Sequence, residues 1–91
     1  MKRFLIERDM PKVGNMDHTQ LQGAAKKSNE VLHQLGPDIQ WVESYVANDK
    51  IFCVYLAKDE NLIKRHAELS GFPATTISEI RTVINPMTES S

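Results

Sequence analysis

The chain has 91 residues, a net charge of −1 and charges of both signs spread along its length. That length fits one domain, and the near-neutral balance argues against a nucleic-acid or anionic-membrane partner. The single cysteine excludes an intramolecular disulfide and suits a reducing compartment.

The opening run MKRFLI is too short for a signal-peptide core, and no later stretch approaches the ~20 apolar residues that span a bilayer. A soluble, cytoplasmic protein is expected. A domain of this size buries roughly 60–65% of its extended-chain surface, so self-association is a natural supplement to its stability.

Residues 4–8 (FLIER) read as a first strand, with Leu5 and Glu7 on one face and Phe4, Ile6 and Arg8 on the other. Breakers follow at Asp9, Pro11, Gly14 and Asn15. Asp17 then caps a helix, and Gln20, three residues on, completes a capping-box-like pair. Leu21, Ala24, Ala25, Ser28, Val31, Leu32 and Leu35 recur at helical spacing as one inward stripe. Gly36 and Pro37 end that helix.

Residues 39–57 read as two strands joined by a turn at Asn48-Asp49. A second helix opens at Lys58 or Asp59, carries Leu62, Ile63, His66, Ala67 and Ser70 on its inner stripe, and closes at Gly71-Phe72-Pro73. Residues 77–84 make the last strand, residues 1–86 a single domain and residues 87–91 a flexible polar tail.

The order β-α-β-β-α-β is the split β-α-β pattern of α+β ferredoxin-like domains: a four-stranded antiparallel sheet with two helices on one face. The other face then lies uncovered, and a second copy of the chain packing sheet to sheet, as a homodimeric α+β barrel, would cover it.

The turn decides what that open face carries. With a two-residue loop, Trp41, Glu43, Tyr45, Phe52, Val54 and Leu56 share the open face, and Val42, Ser44, Val46, Ile51, Cys53 and Tyr55 the helix face. With a three-residue loop the pairing slips by one and Cys53 joins Glu43 and Tyr45. The two-residue case is preferred. It makes Trp41, Tyr45 and Phe52 a cavity or dimer-facing wall, and it puts Cys53 and Trp41 on opposite faces.

Few residues point to chemistry. His66 on the inner stripe is either a core histidine or a metal ligand or general acid/base at a cavity edge. His18 and His33 fall on the polar side of the first helix. Cys53 lacks a second cysteine and reads first as a small hydrophobe; it and Tyr55 are further candidate site residues. Glu7 and Glu43 are carboxylates inside apolar strands. They are either rim residues paired with Arg8, Lys50 or Arg81, or cavity groups suited to proton transfer or metal binding. No phosphate loop, nucleophile elbow or H-E-x-x-H motif occurs.

Taken together, FLIER at 4–8, AAKKSN at 24–29, LGPD at 35–38, WVESYV at 41–46, Asp49-Lys50, CVY at 53–55, IKRHA at 63–67 running into Gly71-Phe72-Pro73, and RTVINP at 81–86 carry a resemblance. The chain resembles a family of small ferredoxin-like proteins, long known only as a domain of unknown function, with a nickel-binding member. The resemblance covers nearly the whole chain. It implies a dimeric α+β barrel with nickel held near the dimer interface, mainly by histidines, and His66 matches the family's histidine in the second helix. Where the family often has histidine at position 43, this chain has Glu43; imidazole suits Ni(II) better than a lone carboxylate does.

Three functions are therefore in view. The first is a homodimer binding nickel or another divalent metal through His66, Glu43 and Glu7. The second is a small-molecule binder or acid–base enzyme, with Glu7 or His66 moving the proton in a barrel cavity walled by Trp41, Tyr45 and Phe52. The third is a purely structural dimerisation domain.

Overall fold

Each helix starts on an aspartate and stops on a glycine. Residues 1–90 are described by a computed structural model, in which α1 (His18–Leu35) follows a complete capping box. The Asp17 carboxylate accepts from the Gln20 amide at 2.8 Å, and the Gln20 side chain accepts from the Asp17 amide at 2.9 Å. Gly36 ends α1 at φ 87°. Asp59 caps α2 (Glu60–Ser70) through the Leu62 amide at 3.1 Å, and Gly71 closes it in the left-handed region.

The strands are β1 (Lys2–Asp9), β2 (Ile39–Val46), β3 (Lys50–Ala57) and β4 (Thr76–Ile80). They form one antiparallel sheet in the order β2-β3-β1-β4. This is the ferredoxin-like α+β arrangement. The core lies between the helices and one sheet face: Phe4, Ile6, Ile39, Cys53, Tyr55, Ala57 and Ile63 are buried there, with Leu32, Leu35 and Ile77 packed against them. On β1 the alternation is the expected one, Phe4, Ile6 and Arg8 turned inward and Leu5 and Glu7 outward.

The β2–β3 turn has two residues. The Ala47 amide donates to the Lys50 carbonyl, and Val46, Tyr45, Ser44 and Glu43 pair with Ile51, Phe52, Cys53 and Val54. Beyond Glu43 the register shifts, so that Trp41 pairs with Tyr55. Val42 is the extra residue of a β-bulge.

Residues 10–16 clasp this turn from the side. The Met10 amide donates to the Asp49 carbonyl, the Gly14 amide to the Asn48 carbonyl at 2.9 Å, and the Lys12 amide to the Asp49 carboxylate at 2.8 Å. A Cβ at Gly14 would lie 2.8 Å from both the Ala47 oxygen and the Asn48 Cα, so the clasp closes only on glycine.

The last strand is shorter than the sequence predicts. β4 ends at Ile80, opposite Arg3 near the start of β1, and the ladder has little left to bond beyond it. Val83 and Ile84 are exposed. A 3-10 turn, Pro86–Ser90, follows where a tail is expected; Ser91 lies outside the described residues.

Candidate functional site

The sheet separates two groups of side chains with chemical potential. On the uncovered face Leu5, Phe52, Val54, Leu56 and Ile80 stand half-buried, and Glu7 and Glu43 interrupt them. Glu43 is bonded by the Tyr45 hydroxyl, and this bond is the main reason the Tyr45 phenol titrates above its ordinary range. Glu7 faces Lys50 at 3.5 Å, and Lys50 also reaches Asp9 at 3.7 Å. The two glutamates do not converge within one chain. Glu7 lies on β1 and Glu43 on β2, with β3 between them and two residues of offset, which separates their Cα atoms by roughly 12 Å.

Tyr45 and Phe52 sit on this face as expected, but Trp41 does not. The bulge at Val42 puts Trp41 opposite Tyr55 and on the same side of the sheet as Cys53. Its indole Nε1 donates to the Ser44 hydroxyl at 2.9 Å, a bond between residues that a regular strand would place on opposite faces. The expected division, Trp41 out and Cys53 in, is corrected: both face the helices. The two-residue turn is right, and the strand irregularity upstream reverses its consequence for Trp41.

Behind the sheet lies a polar group within the core. His66 on α2 is 1% exposed, and its Nε2 lies 3.1 Å from the Ser28 hydroxyl on α1, which lies 3.3 Å from the Tyr55 hydroxyl. The Tyr55 and His66 rings are tilted at a centroid distance of 5.3 Å. Burial, and secondarily the nearby Arg8 guanidinium, push the His66 pKa down to about 4, so its ring is neutral near pH 7. Burial also raises the Tyr55 phenol.

Arg8 is the site residue that sequence reasoning missed. It is 2% exposed and forms none of the ion pairs expected of it with Glu7 or Glu43. Its NH1 donates to the Pro73 carbonyl at 3.0 Å and, more weakly, the Phe72 carbonyl, while Nε reaches Cys53 Sγ at 3.4 Å. The guanidinium carbon stands 5.9 Å from the centre of the Tyr55 ring. Among the described residues NH2 is buried without a partner, as is His66 Nδ1. The signal was present in the strand alternation, where Arg8 is in phase with Phe4 and Ile6. An uncompensated buried charge costs about several kcal/mol, which is why the sequence alone favours a rim position.

Arg8 borders a cavity of about 240 Å³ between α1 and the sheet. Met16, Leu21, Ala24, Ile51 and Phe72 supply apolar wall. Polar atoms come from Ser28, Ser44, Cys53 and Tyr55, and among the described residues Arg8 is the one charged residue of the lining.

The donors of one chain do not make a nickel site. Among the described residues no group of three His, Cys, Asp or Glu side chains is placed to hold a metal. His66 is across the sheet from Glu7 and Glu43 and buried, and His18 and His33 are exposed on α1. The unpartnered Nδ1 of His66 is the right kind of donor for Ni(II), but it stands alone.

Residues 4–80 match the model of a protein family described as nickel responsive protein SCO4226-like. The chain belongs to the SCO4226-like family. The crystal structure of SCO4226 from Streptomyces coelicolor A3(2) superposes on this SCO4226-like chain with a TM-score of 0.75 at 18% identity. The match covers 90% of this chain and 99% of that one, and at such identity it speaks for the fold. No curated protein matches the chain. Among the described residues no helix is long and apolar enough to cross a membrane.

Proposed function

We propose that this protein is a homodimer that binds a divalent metal, nickel by the family's description, between two chains. In this reading the uncovered sheet faces meet, and Glu7 and Glu43 of both chains supply the ligands, with His66 left as a core residue. The observation that carries the reading is a pair of carboxylates, Glu7 and Glu43, on the same uncovered sheet face as half-buried Leu5, Phe52, Val54, Leu56 and Ile80. One chain supplies too few donors and spaces them too widely, so a site of three or more ligands needs a partner. Bringing such carboxylates together in an interface is costly unless a cation neutralises them, which would couple association to metal.

Size-exclusion chromatography with light scattering, and equilibrium dialysis against Ni(II) and Zn(II), test both halves on untagged protein. A dimer at micromolar concentration that takes up metal, and loses uptake in Glu7→Gln and Glu43→Gln but not in His66→Gln, is the expected result. A monomer, or uptake indifferent to both glutamate changes, overturns the reading.

A further inference from the structure

The helix-side cavity is unrelated to the proposed metal face, and its chemistry points elsewhere. Arg8 is one of its lining residues, 2% exposed, with one NH2 group buried and, among the described residues, unpartnered, and it is held in place by the Pro73 carbonyl and the Cys53 sulfur. Among the described residues Arg8 has no carboxylate within ion-pair distance. A guanidinium presents its N–H groups as a planar fork that matches a carboxylate. The remaining lining is apolar apart from four groups that can donate to or accept from an oxygen: Ser28, Ser44, Cys53 and Tyr55.

We infer that this cavity is a binding site for a small apolar monocarboxylate, with the carboxylate on Arg8 and the hydrocarbon body between α1 and Trp41. Size narrows the class. A dry cavity of roughly 150 Å³ holds a benzene ring, and the 240 Å³ here leaves room for one ring plus a carboxyl group. Position orders the ligand. Arg8, Ser28, Cys53 and Tyr55 are buried, whereas Met10 and Met16 are partly exposed and Val46 exposed, so the acid group goes in first. The single tryptophan of the chain lines the cavity, so its emission reports occupancy without a label.

The probe is benzoate, titrated into the metal-free full chain in the presence of chelator, with benzamide as the neutral match in shape. Benzoate should change Trp41 emission saturably below about 10 mM, and benzamide should bind at least roughly tenfold more weakly, since only the acid pairs with the guanidinium. Arg8→Met should abolish the preference. Ala24→Leu, which keeps Arg8 and fills the cavity, should abolish binding in a protein of unchanged circular dichroism, and it decides the matter if Arg8→Met does not fold. Glu43→Gln should bind benzoate as the wild type does, which separates this site from the metal reading. Equal affinity for acid and amide, undiminished binding by Ala24→Leu, or no saturable response of the wild type would each overturn the inference.

Discussion

The Ser28 hydroxyl on α1 and His66 Nε2 on α2 lie 3.1 Å apart inside the core, a polar tie between the two helices. The ring it holds is neutral, because burial and Arg8 lower its pKa from 6.5 to about 4. The unfolded chain therefore binds the proton more readily than the folded one. Stability is complete above about pH 6.5 and is lost as pH falls toward 4, by about 3 kcal/mol in full. Denaturant midpoints measured at about pH 7.5, 6 and 4.5 should fall in that order. His66→Gln should flatten the dependence, and an unchanged slope in that variant would remove His66 as its cause.

The bulge makes a prediction opposite to that of a regular strand. Because Trp41 faces the helices, Trp41→Ala should cost about 2 kcal/mol of stability, less than a fully buried ring. It should leave the association state unchanged. Phe52→Ser, on the other face, should shift any dimer toward monomer with the milder stability cost of a half-buried residue. Light scattering paired with thermal melts distinguishes the two, and dissociation by Trp41→Ala alone would contradict the placement.

Ser44→Ala leaves the Trp41 indole N–H without its bond. The expected cost is about 1 kcal/mol, with a shift in tryptophan emission that a change at the exposed Ser78 should not produce.

At Gly14 the conflict is with backbone atoms of the turn, which cannot swing aside as a side-chain tip would. Gly14→Ala should destabilise by about 1–3 kcal/mol. Lys12, at φ 63°, is the reverse case: Lys12→Gly relieves a left-handed residue while keeping the backbone amide bond. It should be neutral or stabilising by up to about 1 kcal/mol. The thermal midpoint of Gly14→Ala should fall, and that of Lys12→Gly should hold or rise.

Much of the fold is readable from local chemistry. Asp17 and Gln20 are three residues apart and form the box that this spacing implies. Asn48-Asp49 forms the expected two-residue turn. Leu21, Ser28 and Val31 fall on one stripe because a helix repeats every 3.6 residues. What sequence pattern could not supply depends on distant partners. Arg8 is held by carbonyls 64 and 65 residues away, and backbone oxygens leave no mark in the side-chain alternation. The Val42 bulge is equally silent, since a strand of half-apolar residues reads as regular with or without one extra. So the pattern gives the right face for Glu43 and Tyr45, on the turn side of the bulge, and the wrong one for Trp41, on its far side.

The bulge has a further consequence for the rim of the sheet. β2 is an outer strand, and its unbonded side presents amides and carbonyls on which another chain could add a strand. An irregular edge resists such addition. Deleting Val42, which is 48% exposed, would preserve every remaining pair from Ile39 to Val46 and straighten the strand. The shortened protein should therefore fold as before and then polymerise slowly, edge to edge, a behaviour that dynamic light scattering over days would detect.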